Sequence, residues 1–89
     1  MKNVLQVEKK IKEILVRELE IDPVVVEGVG ADTPLLGRGI GLDSMETLTL
    51  VTGIEQEFCV QVEDDELTTG LFQTLGTLTE FVMQKIGDS

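Results

Sequence analysis

Histidine, tryptophan and tyrosine are absent from this sequence, and phenylalanine occurs only three times. Without histidine, the chain lacks the side chain most often used as a general base and as a metal ligand. With so few aromatic rings, it also lacks the stacking surfaces on which single-stranded nucleic acids bind. These absences predict a protein that is not an enzyme, holds no metal ion and binds no nucleic acid.

Cysteine occurs once, as Cys59, which excludes an internal disulfide and is typical of a reducing compartment. We interpret Cys59 as a small buried apolar residue, because it follows Phe58 at the expected end of a helix. The charged N-terminal segment does not have the pattern of a signal peptide, and no apolar run is long enough to span a bilayer. We therefore expect a cytoplasmic protein without membrane insertion.

Basic residues are also scarce: there are seven, against seventeen acidic residues, and the net charge is −10 at pH 7. Residues 1–17 contain five of the seven, whereas residues 39–84 contain nine acidic residues and no basic one. An acidic surface of this kind repels nucleic acid. It keeps a small protein soluble, and it is also suited to docking on basic patches of partner enzymes.

Apolar residues spaced three and four positions apart recur along the chain and predict amphipathic helices. The predicted helices are residues 3–19, 44–58, a short helix at 65–69, and a last helix that begins at 74 or 77 and ends at 87. Asn3 is the expected cap of the first helix, Thr77 and Glu80 form a potential capping box in the last, and Gly87 is its expected end.

The connection between the first two long helices begins with Asp22-Pro23, which interrupts the helical pattern. Residues 24–26 are three valines without a partner strand, so we expect an extended loop that buries one or two of them. The glycines of residues 37–41 lack the spacing of nucleotide-binding loops. The predicted fold is thus all-α, a small four-helix bundle of three long helices and one short helix. A long loop joins helices 1 and 2, and one domain covers residues 1–89.

The four residues Leu42-Asp43-Ser44-Met45 mark the start of the second long helix. Asp43 and Glu46 have the spacing of a capping box, which places Ser44 in the first turn. Free backbone N–H groups and the positive end of the helix dipole favour an anion there, such as a phosphate ester on Ser44. An isolated motif of this kind is more often only a helix cap. The apolar residues predicted to share one face of this helix are Met45, Leu48, Val51, Ile54 and Phe58.

The sequence around this motif is more specific than the motif itself. Residues 41–48, the acidic helix end before Phe58 and the following Val60-Gln61-Val62 resemble the acyl carrier protein family in order and spacing. The resemblance continues through an acidic turn at residues 63–66 to the last helix. It implies a stand-alone carrier to which a phosphopantetheinyl transferase attaches 4'-phosphopantetheine, taken from coenzyme A, at Ser44. Acyl groups would then travel as thioesters on the thiol of this arm.

The resemblance also implies roles for other residues of the second long helix. Asp43 would both cap the helix and contact the transferase. Partner enzymes with basic patches, which load, condense or transfer acyl groups, would dock on Leu42, Met45, Glu46, Glu55 and Glu57. The acyl chain would lie beside Leu48, Val51, Ile54 and Phe58. Gly53, inside this helix, would either leave space for the chain or permit close packing of two helices. We expect the carrier to be a monomer.

The sequence indicates the type of cargo less clearly than it indicates the attachment residue. Gly41-Leu42-Asp43-Ser44 is typical of polyketide-type carriers, whereas Asp43-Ser44-Met45-Glu46-Thr47 is also similar to D-alanyl carriers. We favour acyl intermediates of a fatty-acid, lipid or polyketide-type pathway. The alternatives are an aminoacyl, D-alanyl or peptidyl carrier and, less favoured because the serine is intact, an unmodified structural partner with a carrier-like fold.

Overall fold

A computed structural model of the protein describes residues 3–88. Within these residues the chain forms four α-helices and one 3₁₀ turn, with no β-strand, which confirms the predicted all-α class. The elements in chain order are α1 (Val4–Arg17), α2 (Pro23–Glu27), α3 (Ser44–Phe58), the 3₁₀ turn (Asp64–Glu66) and α4 (Leu75–Asp88). None of the helices in the described range is long and apolar enough to cross a membrane.

Helix α1 begins where its capping signal predicts. The Asn3 side chain accepts a hydrogen bond from the Gln6 N–H, and the Gln6 side chain accepts one from the Asn3 N–H, forming a complete capping box. The helix ends at Arg17 rather than at Leu19. Its buried residues, which form one side of the core, are Val7, Ile11, Ile14 and Leu15.

The connection after α1 is not the extended loop expected from its valines. Asp22 caps a short helix, α2, by accepting a hydrogen bond from the Val24 N–H at 2.9 Å, and Pro23 is the first helical residue. Proline suits this position because its missing N–H would have no partner in the helix. Only Val26 is buried, whereas Val24 and Val25 are exposed. The same Asp-Pro pair that ends one helical pattern therefore starts a new helix.

The buried face of α3 differs from the predicted one. Leu50, Val51, Ile54 and Phe58 are buried, whereas Met45 and Leu48 are 74% and 56% exposed. Leu50 was missing from the predicted face. The first two turns of α3 thus present apolar side chains to solvent, and only the later turns enter the core.

Gly53 lies on the buried side of α3, against α1. A Cβ atom at this position would come within 2.7 Å of the Ile14 Cγ2 atom. Of the two roles expected for Gly53, close helix packing is therefore confirmed and space for an acyl chain is not, because the missing side chain allows two helices to approach each other.

The chain leaves α3 through Cys59, which has a φ of 55° in the left-handed region. Its side chain is exposed, so the prediction of a buried cysteine is wrong. The left-handed conformation ends the helix and turns Cys59 out of the apolar face that includes Phe58. The short helix expected at residues 65–69 is instead the 3₁₀ turn, and Leu71 and Phe72, which follow it, are buried.

Helix α4 begins at Leu75, where the Thr74 hydroxyl accepts a hydrogen bond from the Thr77 N–H at 3.0 Å. The capping box predicted for Thr77 and Glu80 is wrong, because Thr77 already lies inside the helix. Gly87 is not the end, since the helix continues to Asp88. Leu75, Leu78 and Val82 are buried and complete the core with α1 and α3.

Candidate functional site

The loop before α3 folds back on itself and fixes the start of that helix. The Ile40 N–H donates to the Pro34 carbonyl and the Leu42 N–H to the Leu35 carbonyl, both at 3.0 Å. A Cβ atom at position 39 would lie 1.6 Å from the Pro34 oxygen, so only glycine fits there. Leu35 and Leu42 are both buried. These contacts anchor the chain two residues before Ser44.

A capping box defines the first turn of α3, as the sequence predicts. Asp43 Oδ1 accepts from the Glu46 N–H at 2.8 Å, and Glu46 Oε1 accepts from the Asp43 N–H at 3.1 Å. Ser44 is the first helical residue and is exposed. No residue in the range 3–88 accepts a hydrogen bond from the N–H groups of Ser44 and Met45. The helix start therefore presents a serine hydroxyl and unpaired backbone donors to solvent.

An apolar cavity of about 380 Å³ opens beside Ser44. Its lining comes from the loop before α3, from α3 itself and from the segment that follows the 3₁₀ turn. The residues around the cavity are Leu36, Leu42, Asp43, Ser44, Thr47, Leu48, Val51, Leu67, Thr68, Thr69 and Phe72. Apolar side chains form the interior, and Ser44, Asp43 and the threonines supply polar groups to its lining. A group attached to Ser44 would start at the cavity.

Two of the four residues predicted to line an acyl pocket border this cavity. Leu48 and Val51 border the cavity, whereas Ile54 and Phe58 do not and are buried in the core. The difference arises because Ile54 and Phe58 lie further along α3, where the helix packs on the rest of the bundle.

Three apolar cavity residues were missed from the sequence, namely Leu36, Leu67 and Phe72. They come from the loop before α3 and the segment before α4. The leucine pair 35–36 and the pair Leu71-Phe72 are the available signals in the sequence, but each pair predicts a core anchor equally well. Which member of each pair borders a cavity depends on the path of the loop, and local patterns do not determine that path.

The predicted docking residues divide into three groups. Leu42 is only 6% exposed, so its prediction as a docking residue is wrong: the hydrogen bond to Leu35 draws it into the core. Met45 is exposed beside Ser44, and Glu46 is half-buried in the capping box.

The other two predicted docking residues, Glu55 and Glu57, lie near the opposite end of α3 and are engaged within the protein. Glu55 accepts from the Val62 N–H at 2.9 Å. Glu57 lies 3.6 Å from Arg17 and 4.0 Å from Lys10 of α1, at ion-pair distance. These carboxylates support the packing of the bundle, and they are separated from Ser44 by most of the helix.

The charged groups near the cavity include one ion pair. Glu66, at the end of the 3₁₀ turn, lies 2.7 Å from the Lys85 ammonium of α4. The hydrogen bond from Lys85, together with one from the Glu63 N–H, lowers the pKa of the Glu66 carboxyl below its ordinary value. Within residues 3–88, no group of three or more cysteine or carboxylate side chains is arranged to hold a metal ion.

A small helical domain that presents an exposed serine at the start of a helix, next to an apolar cavity, is suited to carrying a covalently attached group. Residues 9–82 match the model of the family described as the phosphopantetheine attachment site, and the chain belongs to this family. It is accordingly a non-catalytic carrier protein of the kind to which 4'-phosphopantetheine is covalently attached. Membership of this family implies interaction with a phosphopantetheinyl transferase and with partner enzymes.

Proposed function

We propose that Ser44 is the attachment residue and that the protein carries acyl intermediates of a fatty-acid, lipid or polyketide-type pathway. The observation that carries the proposal is the position of Ser44: it is exposed, is the first residue of α3, and borders the apolar cavity. The described residues fit the group, because a phosphodiester on Ser44 Oγ would lie near the N–H donors at the positive end of the helix.

The reaction at Ser44 needs an external enzyme, since the serine hydroxyl is a weak nucleophile without a base. In the transferase complex, Ser44 Oγ attacks the phosphorus of coenzyme A that bears the pantetheine half. The new O–P bond forms as the bond to the 3',5'-ADP half breaks, and the hydroxyl proton passes to a base of the transferase. When attached, 4'-phosphopantetheine supplies a terminal thiol that holds cargo as a thioester.

The composition of the cavity favours an apolar acyl chain as cargo. Leu36, Leu42, Val51 and Phe72 are apolar side chains from three separate segments that converge around it. Each methylene that leaves water for such surroundings contributes at most about 0.8 kcal/mol. An aminoacyl cargo carries an ammonium group, and burying that charge without a partner is costly. We therefore favour acyl cargo over aminoacyl, D-alanyl or peptidyl cargo.

We also propose a docking surface at the start of α3, defined as Asp43, Met45, Glu46 and Leu48. Met45 and Leu48 are large apolar residues that are mostly exposed, and the two carboxylates lie within one turn of them. Flexible methionine adapts to several partner surfaces, and the carboxylates attract basic patches. Because Ser44 lies within this surface, a partner that docks there would meet the attached cargo.

Intact mass spectrometry after incubation with a broad-specificity phosphopantetheinyl transferase, Mg²⁺ and coenzyme A tests the attachment residue. The chain contains two serines, Ser44 and Ser89, and this provides a matched control. We expect the wild-type protein and Ser89→Ala to gain one phosphopantetheine mass, and Ser44→Ala to gain none while keeping its helical circular dichroism. Modification of folded Ser44→Ala would contradict the proposal.

A further inference from the structure

One carboxylate oxygen joins the 3₁₀ turn to α4. Glu66 Oε1 accepts a hydrogen bond from the Glu63 N–H at 2.9 Å, and the Lys85 ammonium lies 2.7 Å from the same oxygen. The ammonium is also 5.5 Å from the centre of the Phe81 ring, within the range of a cation–π contact. Glu66 therefore stabilises the turn internally and connects it to a helix of the core.

The segment that follows Glu66 is one wall of the cavity. We call Leu67, Thr68 and Thr69 the wall segment; they line the cavity together with Thr47, Leu48 and Val51 of α3. The wall segment begins at the residue directly after the ion pair. A movement of Glu66 relative to α4 would therefore widen or narrow the cavity.

The backbone hydrogen bonds of the wall segment are local. The Leu67 N–H donates to the Asp64 backbone carbonyl at 3.2 Å and the Thr68 N–H to the Glu66 backbone carbonyl at 3.0 Å, so both bonds join the segment only to the adjacent turn. Thr68 and Thr69 are exposed, whereas Leu71 and Phe72 anchor the chain after the segment. Local bonds keep the shape of a turn but do not fix its position on the bundle. The position of the segment is set instead by the packing of half-buried Leu67 on the core and by the ion pair between Glu66 and α4.

We propose that the ion pair between Glu66 and Lys85 is a latch that holds the wall segment in place and so controls the opening of the cavity. Lys85 is the one basic residue after Arg38, in a stretch rich in carboxylates, so no other cation there can replace it. With the latch closed, the wall segment covers one side of the cavity. An open latch would expose acyl cargo to solvent more often. This consequence rests on the proposed function of the cavity.

Amide hydrogen exchange of the unmodified protein, measured by NMR at neutral pH and low salt, tests the latch. Lys85→Gln removes the cation, and Glu66→Gln removes the charge but keeps an acceptor for the Glu63 N–H. We expect each variant to speed exchange at the Leu67 and Thr68 amides by about two- to fivefold, as loss of a partly exposed ion pair allows. Lys85→Arg, which keeps the charge, should stay close to wild type.

The matched control is Arg17→Gln, which removes a cation that contacts Glu57 and Glu18 away from the cavity. It should leave exchange at the wall segment unchanged. The double variant Lys85→Gln/Glu66→Gln should exchange no faster than the faster single variant, because both changes break one contact. Unchanged exchange in both single variants would overturn the latch, and so would equal acceleration in Arg17→Gln.

These measurements need no attached group, so the latch can fail while Ser44 is still modified, and modification at Ser44 can fail while the latch holds. The two proposals are thereby tested separately. In the acyl-loaded protein, Lys85→Gln should also speed thioester hydrolysis relative to wild type and Arg17→Gln. Equal hydrolysis rates in wild type, Lys85→Gln and Arg17→Gln would show that the latch does not govern the exposure of the cargo.

Discussion

Gly53 of α3 lies so close to Ile14 of α1 that a Cβ atom would come within 2.7 Å of the Ile14 Cγ2 atom. Ile14 is fully buried, and its β-branched side chain has little freedom to turn away. A glycine inside a helix costs about 1 kcal/mol relative to alanine, so its presence here is explained by the close packing of the two helices.

We therefore predict that Gly53→Ala destabilises the protein by about 1–3 kcal/mol, because overpacking outweighs the gain in helix propensity. Chemical denaturation monitored by circular dichroism measures this change. The control is Gly87→Ala in α4, where an added Cβ meets no atom within 4 Å; it should be neutral or stabilising by up to about 1 kcal/mol. A stabilised Gly53→Ala would show that the two helices have room to separate.

The parts of the fold that sequence patterns predict are those determined locally. The capping boxes of α1 and α3 require only residues three apart, and both are formed with the expected partners. The position of Ser44 in the first turn of α3 follows from the capping box of that helix. At Asp22-Pro23 the local signal was present but ambiguous, since the same pair can break a helix or begin one.

The remainder depends on contacts between distant segments. Apolar residues cover more than one face of α3, so spacing alone could not show that Leu50 enters the core while Leu48 borders the cavity. The burial of Leu42 depends on its backbone hydrogen bond to Leu35 across a loop. The rest of the cavity lining depends on where the segment after the 3₁₀ turn packs. None of these positions is encoded within a single helix.

The stability of the protein should depend on pH through Glu66. Its pKa is lowered below 4.5 chiefly by the hydrogen bond from Lys85 and also by the Glu63 N–H. A lowered pKa in the folded state means that the contribution of Glu66 is complete above about pH 4.5 and is lost as the pH falls through the folded value. The neighbouring acidic side chains on the turn and on α4 are Glu63, Asp64, Asp65 and Glu80.

Because those carboxyls are present in both proteins, the prediction concerns the difference between wild type and Glu66→Gln. Wild type should be the more stable at neutral pH, and the difference in free energy of unfolding should shrink toward zero in strong acid. Urea denaturation at a series of pH values measures it. A difference that stays constant over the whole range would show that the charge of Glu66 has no part in stability.

Docking at the start of α3 should depend on the exposed apolar pair as well as on charge. We predict that Met45→Glu and Leu48→Glu each reduce the kcat/KM of the transferase about tenfold or more, as loss of a central interface contact does. Leu5→Glu is the control, because Leu5 is 76% exposed but lies on α1. The wild-type rate should also fall as salt rises, since the surface attracts basic patches. Equal rates in all three variants would place the docking surface elsewhere.

The cavity beside Ser44 should bind a medium-length acyl chain and thereby stabilise the folded state. A chain of about eight carbons that buries even part of its length should add at least about 1 kcal/mol, which raises the Tm of a domain of this size by about 4–8 °C. An aminoacyl cargo should leave the Tm close to that of the unloaded protein, because its ammonium group disfavours entry.

The matched variants are Val51→Phe and Thr52→Phe, neighbours on α3 of which only Val51 borders the cavity. Val51→Phe should narrow the cavity and reduce the shift caused by acyl loading, whereas Thr52→Phe, on the exposed side, should keep it. Comparing each variant with its own unloaded form removes the direct effect of the substitution on stability. Thermal melts of the unloaded, acyl-loaded and aminoacyl-loaded proteins measure these shifts. If acyl loading leaves the wild-type Tm unchanged, the chain stays outside the cavity, and the physical reason for preferring acyl over aminoacyl cargo is lost.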